Sequence, residues 1–398
     1  MFRNGSIFIV IMELNINSLQ ELFLKKGDFT VPQIITDAVS SCIQTNPENI
    51  EKEIVRLEQI YSSYIRIDEP IKLDYLDEAT IDAYTIKYLP RNTLIPKIFL
   101  LSFAEHSVLR NIPDEISILD LGSGTGGVVL GLLDMFRQPL FSKIKVKIAA
   151  LDSSAPSIER QKNLIQKMDV SNCEVHHFVV DLSKPKEYLR SMMHLAPYNY
   201  IITANFLTEL KSSPINDLLV NTREALSEDG LILIAEAPRL YTCKLMVRLS
   251  RFLLELGLNP FYPCPPDFEC KKGINEQCWV WFETNFQCPD ISIAGEELEV
   301  TDVLKTTWSI YCNSQYSIYD FLNEGDPDLS WGIATPYGNE FSIKEEMNYE
   351  VCTTKGPKTV THTREKAIFR DKKSVILRGA IIGFDSNSRA VKAWHPLW

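Results

Sequence analysis

The sequence predicts an α/β fold built around a doubly wound parallel sheet. Three observations carry this reading. From residue 116 to about 260, apolar runs alternate with helical segments, a pattern that puts parallel strands in one layer and helices on both faces. Four of the five runs end in an acid and the other in Asn205. The first run leads straight into Gly122-Ser123-Gly124-Thr125-Gly126-Gly127 and then a helical stretch. In such sheets a ligand sits beyond the C-terminal strand edge, and the polar strand ends fall on that edge.

Taken in order, residues 1–110 read as a helical N-terminal region. Leu19, Leu22 and Phe23 share one helical face. Ile54, Leu57, Ile60 and Tyr61 repeat close to the 3.6-residue period. Asp77-Glu78-Ala79-Thr80 opens another helix, which Pro90 stops or kinks. Thr93 to Leu109 is helical again, and no catalytic constellation stands out in this region. Residues 111–260 hold the sheet. Its strands are Ile116–Leu121, Val146–Leu151 before Asp152, Cys173–Val180 before Asp181, Tyr198–Ala204 before Asn205, and Gly230–Ala235 before Glu236. Residues 261–398 change character. Pro260, Pro263, Pro265 and Pro266 break regular structure around Cys264, Cys270 and Cys278. Short β-rich runs such as Trp308–Tyr311, Asn348–Val351 and Val375–Ile382 follow, which predicts a small β domain appended to the sheet.

Bulk properties narrow the function classes. The 398 residues are 45% hydrophobic and 23% charged, ordinary for a folded protein. No apolar run reaches about 18 residues, so no membrane span is expected. Ile7–Met12 is short and lacks a small-residue cleavage site, which makes a poor secretory signal. A net charge of −11 argues against a general nucleic-acid-binding surface, leaving room for a local basic patch. Nine cysteines without a secretory signal point to a reducing, cytoplasmic setting, where clustered cysteines are metal ligands or core residues more often than disulfides.

Asp120-Leu121-Gly122-Ser123-Gly124-Thr125-Gly126 resembles motif I of class I S-adenosylmethionine-dependent methyltransferases. The glycine spacing departs from the dinucleotide fingerprint, whose third glycine lies one residue later. The resemblance implies a Rossmann-like class I methyltransferase sheet. It also implies a cofactor site made of Asp120, Gly122, Ser123, Gly124, Gly126, Asp152, Ser153, Asp181, Leu182 and Asn205. Asp152 lies about 26 residues past the last loop glycine, where an acid can take both ribose hydroxyls. Asp181 ends the third strand, where this class places an acid on the adenine amino group. Asn205, near the transferred methyl, and Glu209 are the expected catalytic residues that position the acceptor. Ala204-Asn205-Phe206-Leu207 lacks the Asn/Asp-Pro-Pro-aromatic run of exocyclic-amine enzymes of the familiar kind, and Cys243 lacks the Pro-Cys context of a cytosine-C5 nucleophile.

Three cysteines within fifteen residues, Cys264, Cys270 and Cys278, can close round one metal or cluster, with Cys352, Cys312 or Cys288 as the fourth ligand. The alternative is buried or loop cysteines. Cys264-Pro-Pro-Asp-Phe-Glu-Cys270 with Gln277-Cys278-Trp279 resembles the cysteine block of the small-ribosomal-subunit methyltransferase-like family, whose mitochondrial members are mitoribosome assembly factors. Ala83–Pro90, Asn205–Leu210 and Glu350–Gly356 resemble further elements of that family. The resemblance implies a 4Fe–4S cluster on Cys264, Cys270, Cys278 and Cys352, with zinc as the alternative metal. It implies an acceptor in RNA or a ribosome-associated target. A non-catalytic assembly factor that binds the same cofactor and cluster, or a zinc-binding methyltransferase acting on a small molecule or protein, are the alternatives.

Other residues invite less. Adjacent His176 and His177 face opposite sides of a strand, so they do not form a joint metal site. Lys271, Lys272, Arg364, Lys366, Arg370, Lys372 and Lys373 read as a solvated face slightly before an RNA contact. Trp279, Trp281, Trp394 and Trp398 are more often core residues than base-stacking platforms.

Overall fold

The computed structural model describes residues 24–25, 28–65, 68–70, 77–104, 113–265, 282–293, 296–298, 303–314, 317, 319–320, 330–335, 346–353, 356–363, 381–385 and 391–395. The strands are β1 (Leu24–Lys25), β2 (Asp28–Thr30), β3 (Glu115–Leu121), β4 (Lys145–Asp152), β5 (Cys173–Val179), β6 (Tyr198–Ala204), β7 (Leu226–Glu236), β8 (Asn259–Tyr262) and β9 (Phe282–Gln287). They continue as β10 (Ile291–Ile293), β11 (Glu296–Leu298), β12 (Val303–Cys312), β13 (Ser330–Thr335), β14 (Glu346–Thr353), β15 (Gly356–Thr363), β16 (Ile381–Phe384) and β17 (Val391–His395).

The five strands expected between 116 and 260 all form. They pair in parallel in the order β7-β6-β3-β4-β5, so β3 sits at the centre and the order reverses on either side of it. Beyond β7 comes β12, antiparallel to β7, and β8 pairs antiparallel with the far side of β12. The sequence predicts Trp308–Tyr311 in an appended β domain. Those residues instead pair with Ala235–Ile232 of β7 inside the main sheet. Their apolar alternation suits either sheet, and a pairing so distant in sequence leaves no local mark. An N-terminal strand also went unread: β2 joins the sheet parallel to β9. A separate five-stranded antiparallel sheet, β15-β14-β13-β16-β17, does form in the C-terminal part.

Alternate strand residues feed two cores. Ile116, Ile118, Val146, Ile148 and Ala150 face one side, packed with the N-terminal helices. Leu119, Leu121, Ala149 and Leu151 face the other. Burial on both faces explains why these strands read as continuous apolar runs. The first core is closed by α1 (Gln33–Cys42), α2 (Pro47–Ser63), α3 (Glu78–Lys87), α4 (Leu89–Asn92), α5 (Ile95–Ala104) and α6 (Gly127–Phe136). The second is covered by α8 (Pro185–Met192), α9 (Ser212–Ala225) and α10 (Leu240–Glu255), while α7 (Ala155–Ile165) follows β4. Asp77 caps α3 by accepting the Thr80 N–H at 2.8 Å, as its sequence suggests. The helix ends at Lys87, and Pro90 falls in the first turn of α4, where its missing N–H costs nothing.

Two buried ion pairs fasten the helical region to the sheet. Asp82 of α3 pairs with Arg160 of α7. Its other oxygen accepts the Gln44 and Thr45 N–H groups at 3.1 and 2.9 Å, which ties in the α1–α2 connection. Lys97 of α5 pairs with Asp134 of α6 at 2.6 Å, both side chains buried. Among the described residues, no helix is long and apolar enough to cross a membrane.

Removing one member of a buried pair leaves the other charge uncompensated, which costs about 3–5 kcal/mol. Asp82→Ala is therefore expected to lower unfolding stability by about that amount in a urea titration, because Arg160 keeps only the long contact to exposed Glu78 and two backbone N–H groups lose their acceptor. A loss below 1 kcal/mol, within the range of exposed ion pairs, would show that this contact does not hold the helical region in place.

Candidate functional site

The glycine loop turns sharply off the end of β3. Gly122 and Ser123 donate N–H bonds to the Leu151 carbonyl at 2.9 and 3.0 Å, which fastens the loop to β4. Gly122 has φ +71°, and a Cβ there would lie 2.2 Å from the Phe206 ring. Gly126 has φ +95°, and its Cβ would lie 2.6 Å from Gln161. Both positions need a left-handed backbone and a close approach, so glycine is required for two reasons at once.

Around this loop lies a cavity of 210 Å³. Of the residues expected from the sequence, it gathers Gly122, Ser123, Gly124, Asp152, Ser153, Asn205 and Glu209. Asp152 stands on β4 and Asn205 follows β6, on opposite sides of β3. Asp152 accepts the Gly124 N–H and the Ser154 N–H, each at 2.8 Å. Burial outweighs these bonds and pushes its carboxyl above the ordinary range. Each carboxylate oxygen keeps a second lone pair for a ligand hydroxyl.

Asp120 does not line the cavity. It lies buried beneath the loop at 1% exposure, and its Oδ2 has no hydrogen-bond partner among the described residues. Burial first, then the Asp152 charge, pushes its carboxyl up to about 8. Ser123 Oγ, Thr125 Oγ1 and the Gln161 amide beside Gly126 are also buried without a partner. Unpaired groups of this kind under a loop are costly unless a ligand or water completes them.

Asp181 and Leu182 stand apart from the lining. The Asp181 carboxylate accepts the Ser183 N–H and hydroxyl at 2.9 and 2.6 Å and pairs with Lys184, so it shapes the turn after β5. Leu182 is buried in the second core, and Gly126 packs against Gln161. Cys243 is buried within α10.

Three features of the site were not read from the sequence. Tyr84 and Asn92, from the helical region, line the cavity. Asn205 Nδ2 donates to Asn92 Oδ1 at 3.2 Å, and Asn92 Nδ2 donates to the Tyr84 hydroxyl at 3.4 Å. Only the resemblance at Ala83–Pro90 marks this segment in the sequence. The third feature is Glu236, wholly buried at the end of β7. Its Oε1 accepts the Phe206 and Leu207 N–H groups at 3.0 and 2.8 Å, and its Oε2 the Thr208 hydroxyl at 2.9 Å. Glu236 thus holds the turn that presents Asn205, Phe206 and Glu209. Asn205 itself adopts φ +55°, strained backbone of a kind asparagine tolerates and functional sites often retain. Burial pushes the Glu236 carboxyl up to about 7.

Two of the four expected metal ligands can be placed. Cys264 follows β8 and Cys352 lies in β14. Both lie near Tyr319, whose hydroxyl donates to the Pro263 carbonyl at 2.6 Å. Burial, followed by the charge of Cys264, pushes that hydroxyl upward, and Cys352 adds to the effect. Cys270 and Cys278 lie outside the described residues. Among the described residues, no group of three or more His, Cys, Asp and Glu could hold a metal. The other two candidates sit elsewhere: Cys312 is buried in β12 beside Ser314, and Cys288 donates to the Pro289 carbonyl.

A parallel sheet with one antiparallel strand, β12, between β7 and β8 is the Rossmann-like class I methyltransferase fold. No family model matches the chain, and no curated protein matches it. Solved structures do. The chain is similar to an O-methyltransferase family protein from Burkholderia thailandensis, at 12% identity over 67% of this chain and 71% of that one, TM-score 0.39. It is similar to magnesium protoporphyrin IX methyltransferase from Synechocystis, at 9% identity over 66% and 97%, TM-score 0.34. It is similar to a precorrin-6y C5,15-methyltransferase from Geobacter metallireducens, at 12% identity over 53% and 86%, TM-score 0.33.

The buried Asp120 has a consequence for stability. Its carboxyl titrates near 3.8 when unfolded and near 8 when folded. Between those values the folded protein keeps a proton that the unfolded chain has released. Its contribution to stability is therefore present below about 4 and lost as pH rises through 8. Asp120→Asn carries no such titration, so its melting temperature should rise relative to wild type between pH 5 and about 8. A gap that stays constant with pH would show that Asp120 is ionised in the folded protein throughout.

Proposed function

We propose that the protein is an S-adenosylmethionine-dependent methyltransferase. The observation that carries this reading is the cradle itself: the glycine loop off β3, with Asp120 beneath it and Asp152 beside it. The donor set fits the cofactor. Asp152 has lone pairs for the ribose hydroxyls, and the backbone at Gly124 leaves open space where a side chain would stand. The unpaired buried oxygen of Asp120 suits a ligand that brings positive charge. A pyrophosphate would meet the Asp152 carboxyl in the lining, which disfavours a dinucleotide.

When bound, the cofactor would supply an electrophilic methyl group on a sulfonium. The protein's part is to position and to exclude water. Asp152, Ser153 and the loop hold the nucleoside. Asn205 and Glu209 face the acceptor, Asn205 being oriented by Asn92 and the turn by Glu236. Supporting an acceptor in RNA or a ribosome-associated target is the resemblance of Ala83–Pro90, Asn205–Leu210 and the cysteine block to the ribosomal family. A 4Fe–4S cluster on Cys264, Cys270, Cys278 and Cys352 is part of the same proposal. What supports it is the resemblance of Cys264–Cys270, Gln277–Trp279 and Glu350–Gly356 to the cysteine elements of that family.

Equilibrium binding of S-adenosylhomocysteine tests the cofactor. Measurable binding that weakens at least tenfold in Asp152→Ala is expected, from the loss of hydrogen bonds to a charged acceptor. Absence of binding by the folded wild-type protein would overturn the reading. Anaerobic purification tests the cluster: a broad absorbance near 400 nm that Cys264→Ser and Cys352→Ser each remove is expected. A colourless protein that binds zinc would assign the other metal.

A further inference from the structure

The acceptor side of the cavity has a distinct chemistry. The polar lining of the whole cavity comprises two carboxylates, Asp152 and Glu209, two carboxamides, Asn92 and Asn205, the Tyr84 phenol, and serine and threonine hydroxyls on and after the glycine loop and β4. No lysine, arginine or histidine is among the described lining residues. Arg91, whose charge reaches Tyr84, lies over the Tyr88 ring 4.5 Å from its centroid and is not part of the lining. Asp152 is engaged with the loop across β3. Asn205, Asn92 and Tyr84, linked by hydrogen bonds, line the same cavity as Glu209 and make up the wall away from that loop.

This wall is fixed rather than adaptable. Asn205 is tied to Asn92, and Asn92 to Tyr84, which links the helical region to the end of β6. Glu209 sits in the turn that Glu236 clamps through three hydrogen bonds. Burial and then the Glu209 charge hold the Tyr84 hydroxyl up at about 12, which keeps it protonated. A phosphate or carboxylate brought to such a wall meets like charge in a poorly solvated space. An amine, or a ring or amide N–H, meets acceptors at Glu209 and at the carboxamide oxygens.

We propose that the cavity beyond Asn205 is an acceptor subsite selective for a hydrogen-bond-donating nitrogen, cationic or neutral, with the Glu209 carboxylate as its partner and with phosphate and carboxylate groups excluded. This rests on the cofactor reading above, which decides where the reacting group arrives. It also constrains a nucleic-acid acceptor: a base nitrogen enters the wall, and the backbone phosphates stay outside it.

The probe that tests this needs no acceptor and no turnover. Sinefungin is an analogue of S-adenosylmethionine that carries an amine where the transferable methylsulfonium stands. S-adenosylhomocysteine carries nothing there. Calorimetric titration of each into the wild-type protein and into Glu209→Gln compares them. Wild type is expected to bind sinefungin roughly tenfold more tightly than S-adenosylhomocysteine, the size of one hydrogen bond between charged groups. Glu209→Gln is expected to lose most of that preference while its S-adenosylhomocysteine affinity moves less than about twofold. Equal affinity for the two ligands in wild type overturns the subsite and leaves the cofactor reading intact. A preference that survives in Glu209→Gln overturns Glu209 as the partner. If neither ligand binds, the cofactor reading fails and the subsite with it. The wild-type comparison stands even if the variant does not fold.

Discussion

The architecture of the site depends on carboxylates buried at one edge of the sheet. Asp120 is the penultimate residue of β3, Asp152 and Glu236 end β4 and β7, and each is pushed above the ordinary carboxylate range by burial. They are treated differently. Glu236 receives three donors from the following turn and becomes a structural clamp. Asp152 receives two from the loop and keeps capacity for a ligand. Asp120 has an oxygen that receives none. An edge that buries three acids and leaves one oxygen without a donor suits a ligand that is positive and rich in hydroxyls.

The helical region is part of the site rather than a cover over it. Asp82–Arg160 and Lys97–Asp134 lock α3 and α5 to α7 and α6 from two directions. That docking carries Tyr84 and Asn92 to the cavity wall, where Asn92 meets Asn205. Residues from the sheet and from the helices thus line one cavity, and their relative placement is set by buried ion pairs outside its lining. Misplacement of reacting groups by even an ångström is expensive in catalysis, which is a physical reason for so rigid a joint.

Much of the sheet was legible because burial on both faces writes long apolar runs, and because the strand-end acids and loop glycines mark the ligand edge. Tyr84 and Asn92 were not legible: their role depends on how α3 and α4 dock, which no local pattern encodes. Glu236 was visible as a strand-end acid, yet its role as the clamp on 206–208 needs the turn's geometry. Asp181, two residues past β5, was visible as a strand-end acid, yet its hold on the turn through Ser183 and Lys184 needs the turn's geometry. β12 was visible as a strand, but its insertion beside β7 is a non-local pairing. Cys264 and Cys352 illustrate the same limit, since only the fold brings them to Tyr319.

If this edge takes a cationic nucleoside, the buried Asp120 gives up its proton as the ligand arrives. Proton exchange on binding measures it most directly. Calorimetric titration of S-adenosylmethionine near pH 7, repeated in buffers of different ionisation enthalpy, gives the number of protons released. The account predicts a net release approaching one proton in wild type, as the ligand's charge draws Asp120 to its ionised form, and close to none in Asp120→Asn. Binding with no release, or with proton uptake, in wild type would contradict it.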